Sequence, residues 1–395
     1  MQPADSSWQP VHTVYVPADD YRPDLTAEWS ARALEACARL DGIEGVCAAV
    51  GVEGHLRGAV AERVGVKLSR DPIEDLRVDF EDGYGDRNDE IEDADALAFV
   101  TRANEASKSG HAPASVGIRI KDLDERNRRR GLRTLGLVVS AFMETAGTLP
   151  PPFVTTIPKV SNVTQIQHAV AACEELEAKH GLPRGSLRLE VQVETPEAII
   201  GVDGRSPLPQ IIQAGDSRVS GLHFGTYDYS AALGIAADFQ SLDHPAADFA
   251  KSVMQVVAAG SGVAISDGST NILPVGDDSS LRAGLDLHFH LVGRSLERGF
   301  YQGWDLHPAQ LPTRYIANYR FYRSALPGAI ARLRATGDPA QGNRTERTVL
   351  EEPATVTALT GFLRRGIRCG AIDEDEVAGL PGFTGPDRAR VSDDE

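Results

Sequence analysis

Cysteine is scarce in this sequence and never paired by spacing. Cys37, Cys47, Cys173 and Cys369 are scattered, and no CxxC occurs. That argues against a disulfide framework and suits buried thiols in a reducing cytoplasm. Positive charge is also in deficit: 40 Lys and Arg face 57 Asp and Glu, a net charge of −17. A general nucleic-acid or anionic-membrane surface is disfavoured, although a local basic pocket for an acidic substrate is not. No apolar run is long enough to span a bilayer. The opening MQPADSSWQP lacks the basic and apolar regions of a signal peptide, so a cytoplasmic location is expected. No GxGxxG turn follows any strand-like run, and there is no internal repeat.

What is present is a rhythm. Short apolar runs occur at 13–17, 76–82, 115–121, 153–160, 187–194, 219–226, 262–267 and 304–308. Amphipathic stretches of helical period lie between most of them, such as 163–180 and 281–300. A Ser/Asn cap precedes the first of these helices, and Gly181 with Pro183 stops it. Eight strands alternating with helices over roughly 300 residues predict a (β/α)8 TIM barrel, with a doubly wound open sheet as the alternative. The stretch 41–75 reads as a long connection carrying its own helix. After about residue 337 the rhythm breaks into a linker, a helix at 346–366 and the acidic segment GAIDEDEVAGL. The expected organisation is a barrel over 12–325, a C-terminal helical extension over 326–383 and a disordered tail over 384–395.

Alternation assigns the faces of the strands. Leu187, Leu189, Val191 and Val193 form one face of their strand and Arg188, Glu190, Gln192 and Glu194 the other, so burying the apolar face under helices turns Glu194 inward. The same count turns Arg77, Asp79 and Glu81 inward on the second strand, and Arg119 and Lys121 on the third. The fourth strand is ambiguous, because Lys159 shares parity with the apolar Phe153 and Ile157 and Pro158 intervenes. After the sixth strand, Gly225 permits a bend and Asp228 lies just beyond it. Asp79, Glu81, Arg119, Lys159, Glu194 and Asp228 should therefore gather at the C-terminal end of the barrel, where such barrels do their chemistry. Carboxylates there need cations. Glu194 and Asp228, with waters and substrate oxygens, would suit Mg²⁺. A buried ion-pair network is the competing account.

The segments RVDFEDG (77–83), GIRIKD (117–122), RGLRTLGL (130–137), IPKVSN (157–162), LEVQVETPEAI (189–199), SGLHFGTYDYSAALGI (220–235) and GFYQGWDLHPAQL (299–311) carry a resemblance. Together they resemble the citrate lyase β-subunit and malyl-CoA lyase group of HpcH/HpaI-type aldolases, and more distantly malate synthase. The resemblance implies that Glu194 and Asp228 hold Mg²⁺, or Mn²⁺. It implies that Arg119 holds a 2-oxo acid and stabilises its enolate, and that Asp79, Glu81 and Asp82 orient the arginine and the metal waters. Lys159 joins the substrate-binding set. Gly225 and Thr226 would meet the substrate carboxylate through backbone N–H groups, and HPAQ at 307–310 would lie near an acyl-CoA entrance. The sequence departs from the family at DFEDGYGDR and at VPADDYRPD.

The implied activity is aldol or Claisen-type carbon–carbon cleavage of a 2-oxo or 2-hydroxy acid, or its reverse. A CoA thioester substrate, a free 2-oxo acid and a catalytically silent accessory subunit all stay open. Asp373, Glu374, Asp375 and Glu376 are candidates for a base carried by a closing C-terminal lid. The resemblance implies a homo-oligomer, a trimer or a hexamer. His288 and His290 fall on different helix faces and form no metal pair, and His223 points inward. RNRRRGLR (126–133) is either a solvated helix start or a phosphate dock, and Asp267 caps the segment after the seventh strand.

Overall fold

The computed structural model describes residues 8–337 and 353–383. Its strands are β1 (His12–Pro17), β2 (Asp75–Asp79), β3 (Ser115–Arg119), β4 (Phe153–Ile157), β5 (Arg188–Val193), β6 (Val219–Phe224), β7 (Ala264–Ser266) and β8 (Gly303–Asp305). All are parallel; from β1 to β7 each pairs with its sequence neighbours, and β1 also pairs with β8. Two backbone bonds bridge the remaining seam: Asp267 N–H donates to Gln302 O at 2.8 Å, and Trp304 N–H to Gly268 O at 3.1 Å. The chain is thus a (β/α)8 barrel, and the open-sheet alternative is set aside by the contact of first strand with last. No helix among the described residues is long and apolar enough to cross a membrane.

Local sequence explains the scaffold. The helix Val163–His180 starts in a capping box between Asn162 and Gln165 and ends at Gly181, whose φ of 67° is the left-handed stop that glycine makes easy. The connection from β1 to β2 holds the helix Leu25–Ala38 and then, within 41–75, two helices, Gly42–Ala49 and Gly54–Arg70, where one was expected. On the strands, Leu76, Val78, Val116, Ile118, Leu189, Val191 and Val193 are buried under the helices as alternation requires. The barrel interior is polar. Arg77, 1% exposed, bridges Asp75 at 2.5 Å and Glu190 at 2.7 Å, and Thr156 donates to Glu190. Burial would raise the Glu190 carboxyl, but Arg77 holds it below its ordinary range. On β5 this braced layer lies two inward positions before Glu194, with Gln192 between them.

The helix Leu311–Gly337 follows β8 and runs across the expected boundary at 325/326. The helices Pro353–Arg368 and Glu374–Val377 pack beside it. Residues 346–352 of the expected helix, most of the expected linker, and the expected tail lie outside the described residues. The extension sits toward the N-terminal ends of the strands. Tyr315 donates to Pro72 O just before β2, Tyr319 donates to Cys369 O, and Arg365 stacks 4.0 Å from the ring of Tyr301, just before β8. Asp373 pairs with Arg63 at 2.5 Å and Glu376 with Arg323 at 2.7 Å. A lid over the chain's own mouth is therefore not the arrangement seen: two of the four acids expected in it are tied to helices of the opposite end.

Candidate active site

Arg119 ends β3 directly beside Asp79 at the end of β2, since the two are register partners. Its Nε and Nη2 donate to the two Asp79 oxygens at 2.7 and 2.5 Å. Asp79 also accepts the backbone N–H groups of Glu81 and Gly83, both at 2.9 Å. Four donors leave Asp79 a positioning group rather than one open to a ligand. Arg119 Nη1 remains, 3.5 Å from Glu81 Oε2, and the guanidinium lies 4.9 Å from the Tyr15 ring centroid. A fork held in this way fixes the plane of the arginine.

Lys159 follows β4 and Pro158 with a φ of 50°. The left-handed turn breaks the alternation that made this strand ambiguous. The Lys159 N–H, on the peptide that leaves β4, donates to Glu194 Oε1 at 2.7 Å, and the turn brings Nζ to Glu81 and, at 2.8 Å, to both oxygens of Asp82. Burial opposes the charge of Lys159, yet these carboxylates raise its pKa. Asp82 is held down by the same ion pair despite its burial.

Glu194 follows β5 and is 3% exposed. Thr195 caps the short helix Pro196–Ile199, so the strand ends where the helix must begin. Burial, and next the charge of Asp228, push Glu194 up to about 8. Asp228 lies in the first turn of the helix Thr226–Ala232 and is also raised, mainly by burial and against the pull of Lys159. The mouth therefore brings together all the sequence-predicted residues: the carboxylates Asp79, Glu81, Asp82, Glu194 and Asp228 against the cations Arg119 and Lys159.

The structure corrects two expectations at Gly225. Its φ of −101° is one that any residue adopts, so no special bend is needed. Glycine is required by close approach: a Cβ there would sit 2.2 Å from Glu194 Oε2 and 2.4 Å from Glu194 Cβ. Nor is its N–H free for a substrate carboxylate, because it donates to Val193 O at 3.0 Å. Thr226 opens its helix, where first-turn N–H groups have no partner within the helix, and its hydroxyl donates to Ser269 O at 3.2 Å.

Other residues take structural places. The basic cluster is zipped to the helix Asp89–Ser109: Arg129 and Arg133 meet Asp89 at 3.1 and 2.9 Å, and Arg130 meets Glu92 at 2.8 Å. Three of its five arginines are therefore engaged with acids of this chain, which disfavours the phosphate dock. Asp267 accepts from Lys251 and Ser295, both buried, as well as from Gly268 N–H, so it braces more than it caps. His307 and Gln310 of HPAQ form a capping box. His288 is buried against Asp305 at 3.0 Å while His290 is exposed, so the two do face apart. His223 is inward and buried, 3.5 Å from Glu190, and burial lowers its pKa. Tyr15 was missed. Its parity with Thr13 was the available signal.

Fold and mouth together define a (β/α)8 barrel with an acidic, arginine-centred site at the C-terminal end of its strands. The chain belongs to the family described as a domain of unknown function (DUF6986), which matches residues 2–392. Over 112 residues it is 37% identical to the L-malyl-CoA/beta-methylmalyl-CoA lyase of Haloarcula marismortui. That stretch is 28% of this chain and 29% of the lyase, so less than a third of that relative is spanned. Among solved structures, the pyruvate/acetyl-CoA ternary complex of Haloferax volcanii malate synthase matches with a TM-score of 0.52 at 15% identity, covering 89% of this chain and 75% of that one. The magnesium/glyoxylate complex of the same enzyme matches with 0.51 at 14% identity, covering 88% and 80%. At such identities the likeness is one of fold.

Proposed function

We propose that this protein is a carbon–carbon lyase of the aldol or Claisen type, acting on a 2-oxo or 2-hydroxy acid with Mg²⁺ or Mn²⁺ held by Glu194 and Asp228. The observation that carries the reading is the buried Glu194, pushed up by burial and by Asp228, beside an arginine with one nitrogen left unbound by Asp79. Five carboxylates against two cations leave the mouth in need of positive charge. Among the described residues no group of three or more His, Cys, Asp or Glu side chains could hold a metal. Two carboxylates therefore suit a hard ion that keeps waters and takes the remaining oxygens from its substrate. They do not suit a closed structural zinc site.

When bound, the divalent ion would lend positive charge to the carboxylate and adjacent oxygen of the acid. The rest falls to the chain. Glu194 and Asp228 would hold the ion on the β5 and β6 side of the mouth. Asp79 keeps the Arg119 fork in place, so that Nη1 is available to the oxygen on which negative charge collects as the carbon–carbon bond breaks. Lys159 neutralises Glu81 and Asp82, which would otherwise repel that charge. The base for the hydroxyl proton is not assigned to Asp373 or Glu376, which are held elsewhere. The name of the Haloarcula lyase and the acetyl-CoA complex of the malate synthase favour a CoA thioester over a free acid. A homo-oligomer, trimer or hexamer, is part of the same reading and is tested by light scattering.

The decisive experiment is turnover of malyl-CoA, citramalyl-CoA and free 4-hydroxy-2-oxo acids, with Mg²⁺ and with EDTA. Metal-dependent release of a 2-oxo acid from any of them supports the proposal, and the substrate arm that responds settles CoA use. No turnover with any of these, together with no binding of Mn²⁺, would mean a silent barrel.

A further inference from the structure

Four non-glycine residues among those described have a positive φ: Asp41, Lys159, Asp216 and Ser217. Three of them carry short polar side chains, which crowd the left-handed region less than a long one does. Lys159 has no such excuse. A long side chain in this region is uncommon, and it persists where the surroundings over-determine it. Here they do. The N–H of Lys159 donates to Glu194 Oε1 at 2.7 Å, its carbonyl accepts from the Gln165 amide at 3.4 Å, and Nζ is held by Glu81 and Asp82. One residue thus ties the ends of β2, β4 and β5 to the cap of the helix Val163–His180.

From this we infer that Lys159 is a positioning residue, and that its left-handed backbone, more than its charge, sets the Glu194 carboxylate for the metal. The inference rests on the metal reading above. The geometry is specific about which atom does what. Glu194 Oε1 is fixed by the Lys159 N–H, and Oε2 lies against the Cα of Gly225, where a Cβ would overlap it. The carboxylate is therefore clamped from two sides. Because the chain is held on both sides, by β4 before Lys159 and by the helix cap at Gln165 after it, forcing Lys159 out of the left-handed region would rotate the peptide that carries its N–H and release one side of the clamp. The ammonium, by contrast, bonds the β2 acids and acts on Asp228 through its charge.

Backbone and charge can be separated by substitution, because glycine and asparagine accept the left-handed region and alanine does so poorly. Lys159→Gly, Lys159→Asn and Lys159→Ala all remove the ammonium. Mn²⁺ affinity of the full-length variants, measured by electron paramagnetic resonance, should be equal to or tighter than that of wild type for Gly and Asn, because losing the ammonium takes a positive charge away from Asp228. It should be about tenfold weaker for Ala than for Gly, as expected when a strained conformation is no longer supported. Equal affinity of the Ala and Gly variants overturns the inference, and a tenfold loss already in the Asn variant overturns it in favour of charge. Should the Ala variant fail to fold, the Asn variant against wild type still decides. Metal-free crystal structures of the variants give a readout that does not depend on metal. Glu194 should stay in place with Gly or Asn and move with Ala, and an unmoved Glu194 in the Ala variant refutes the positioning role. If wild type itself binds no Mn²⁺, the metal reading fails, and the crystal comparison still decides what Lys159 does.

Discussion

Replacing Glu194 by Gln separates a metal ligand from a structural carboxylate. In the metal-free protein, burial and Asp228 lift Glu194 from an ordinary 4.5 to about 8. The folded state therefore holds this proton more tightly than the unfolded chain does. The stability due to the neutral carboxyl is fully present below about pH 4.5 and is lost as pH rises toward 8. A shift of that size corresponds to something on the order of 5 kcal/mol. No large solvent discount applies at 3% exposure. For a chain of 395 residues, an unfolding entropy of about 0.8 kcal/mol/K converts this to roughly 6 °C in Tm. Glu194→Gln keeps the oxygen that accepts from Lys159 and loses the charge. Its metal-free Tm should exceed that of wild type by several degrees at pH 8, and the two should converge near pH 4.5. Mg²⁺ should raise the wild-type Tm at pH 8 and leave the variant unmoved. Scanning calorimetry at the two pH values, with EDTA and with Mg²⁺, reads all four cases. A structural ion pair predicts the reverse: a loss of a few kcal/mol in the variant, indifferent to metal. A variant less stable than wild type at pH 8, with no Mg²⁺ shift in wild type, refutes the reasoning.

Gly225→Ala should weaken Mn²⁺ binding without touching any metal ligand, because the added Cβ would overlap Glu194 Oε2 at 2.2 Å. Unchanged affinity in a titration would show that the carboxylate has room to spare. Arg119→Lys cannot reproduce the fork on Asp79, and kcat should fall about a hundredfold or more with a smaller change in KM. A pure KM effect in steady-state assays would instead assign Arg119 to ground-state binding. Away from the mouth, Glu177 is buried but is held below the ordinary carboxylate range by Arg218, which it meets at 2.5 Å. Its contribution is present above the unfolded pKa and is lost as pH falls through the folded one. Arg218→Met with Glu177→Leu should flatten the acid limb of stability measured in urea at stepped pH. An acid limb as steep as in wild type would exclude this pair as its source.

Alternation alone reached the acidic mouth. On β2, β3 and β5 one face is apolar and buried by helices, so the period of two leaves Asp79, Arg119 and Glu194 no direction but inward. The helix Val163–His180 was legible to the residue, because its capping box and its glycine stop are local chemistry. The fold class followed from the spacing of the runs, since a parallel strand needs a helical crossover before the next one.

What the chain order could not reveal depends on neighbours distant in sequence. Lys159 was illegible because its φ is imposed by partners from β2 and β5, and parity fails wherever the backbone leaves the extended region. The need for glycine at 225 is a clearance from Glu194, 31 positions earlier, and no local pattern records a clearance. The destination of the acidic extension was decided by Arg63 and Arg323, whose helices face it only once the barrel has closed. Local patterns determined which residues face the barrel axis, because a strand's period is a property of one chain segment. Only the tertiary structure decided which of those residues touch, because a contact between strand ends is set by the register of separate segments and by the space they leave one another.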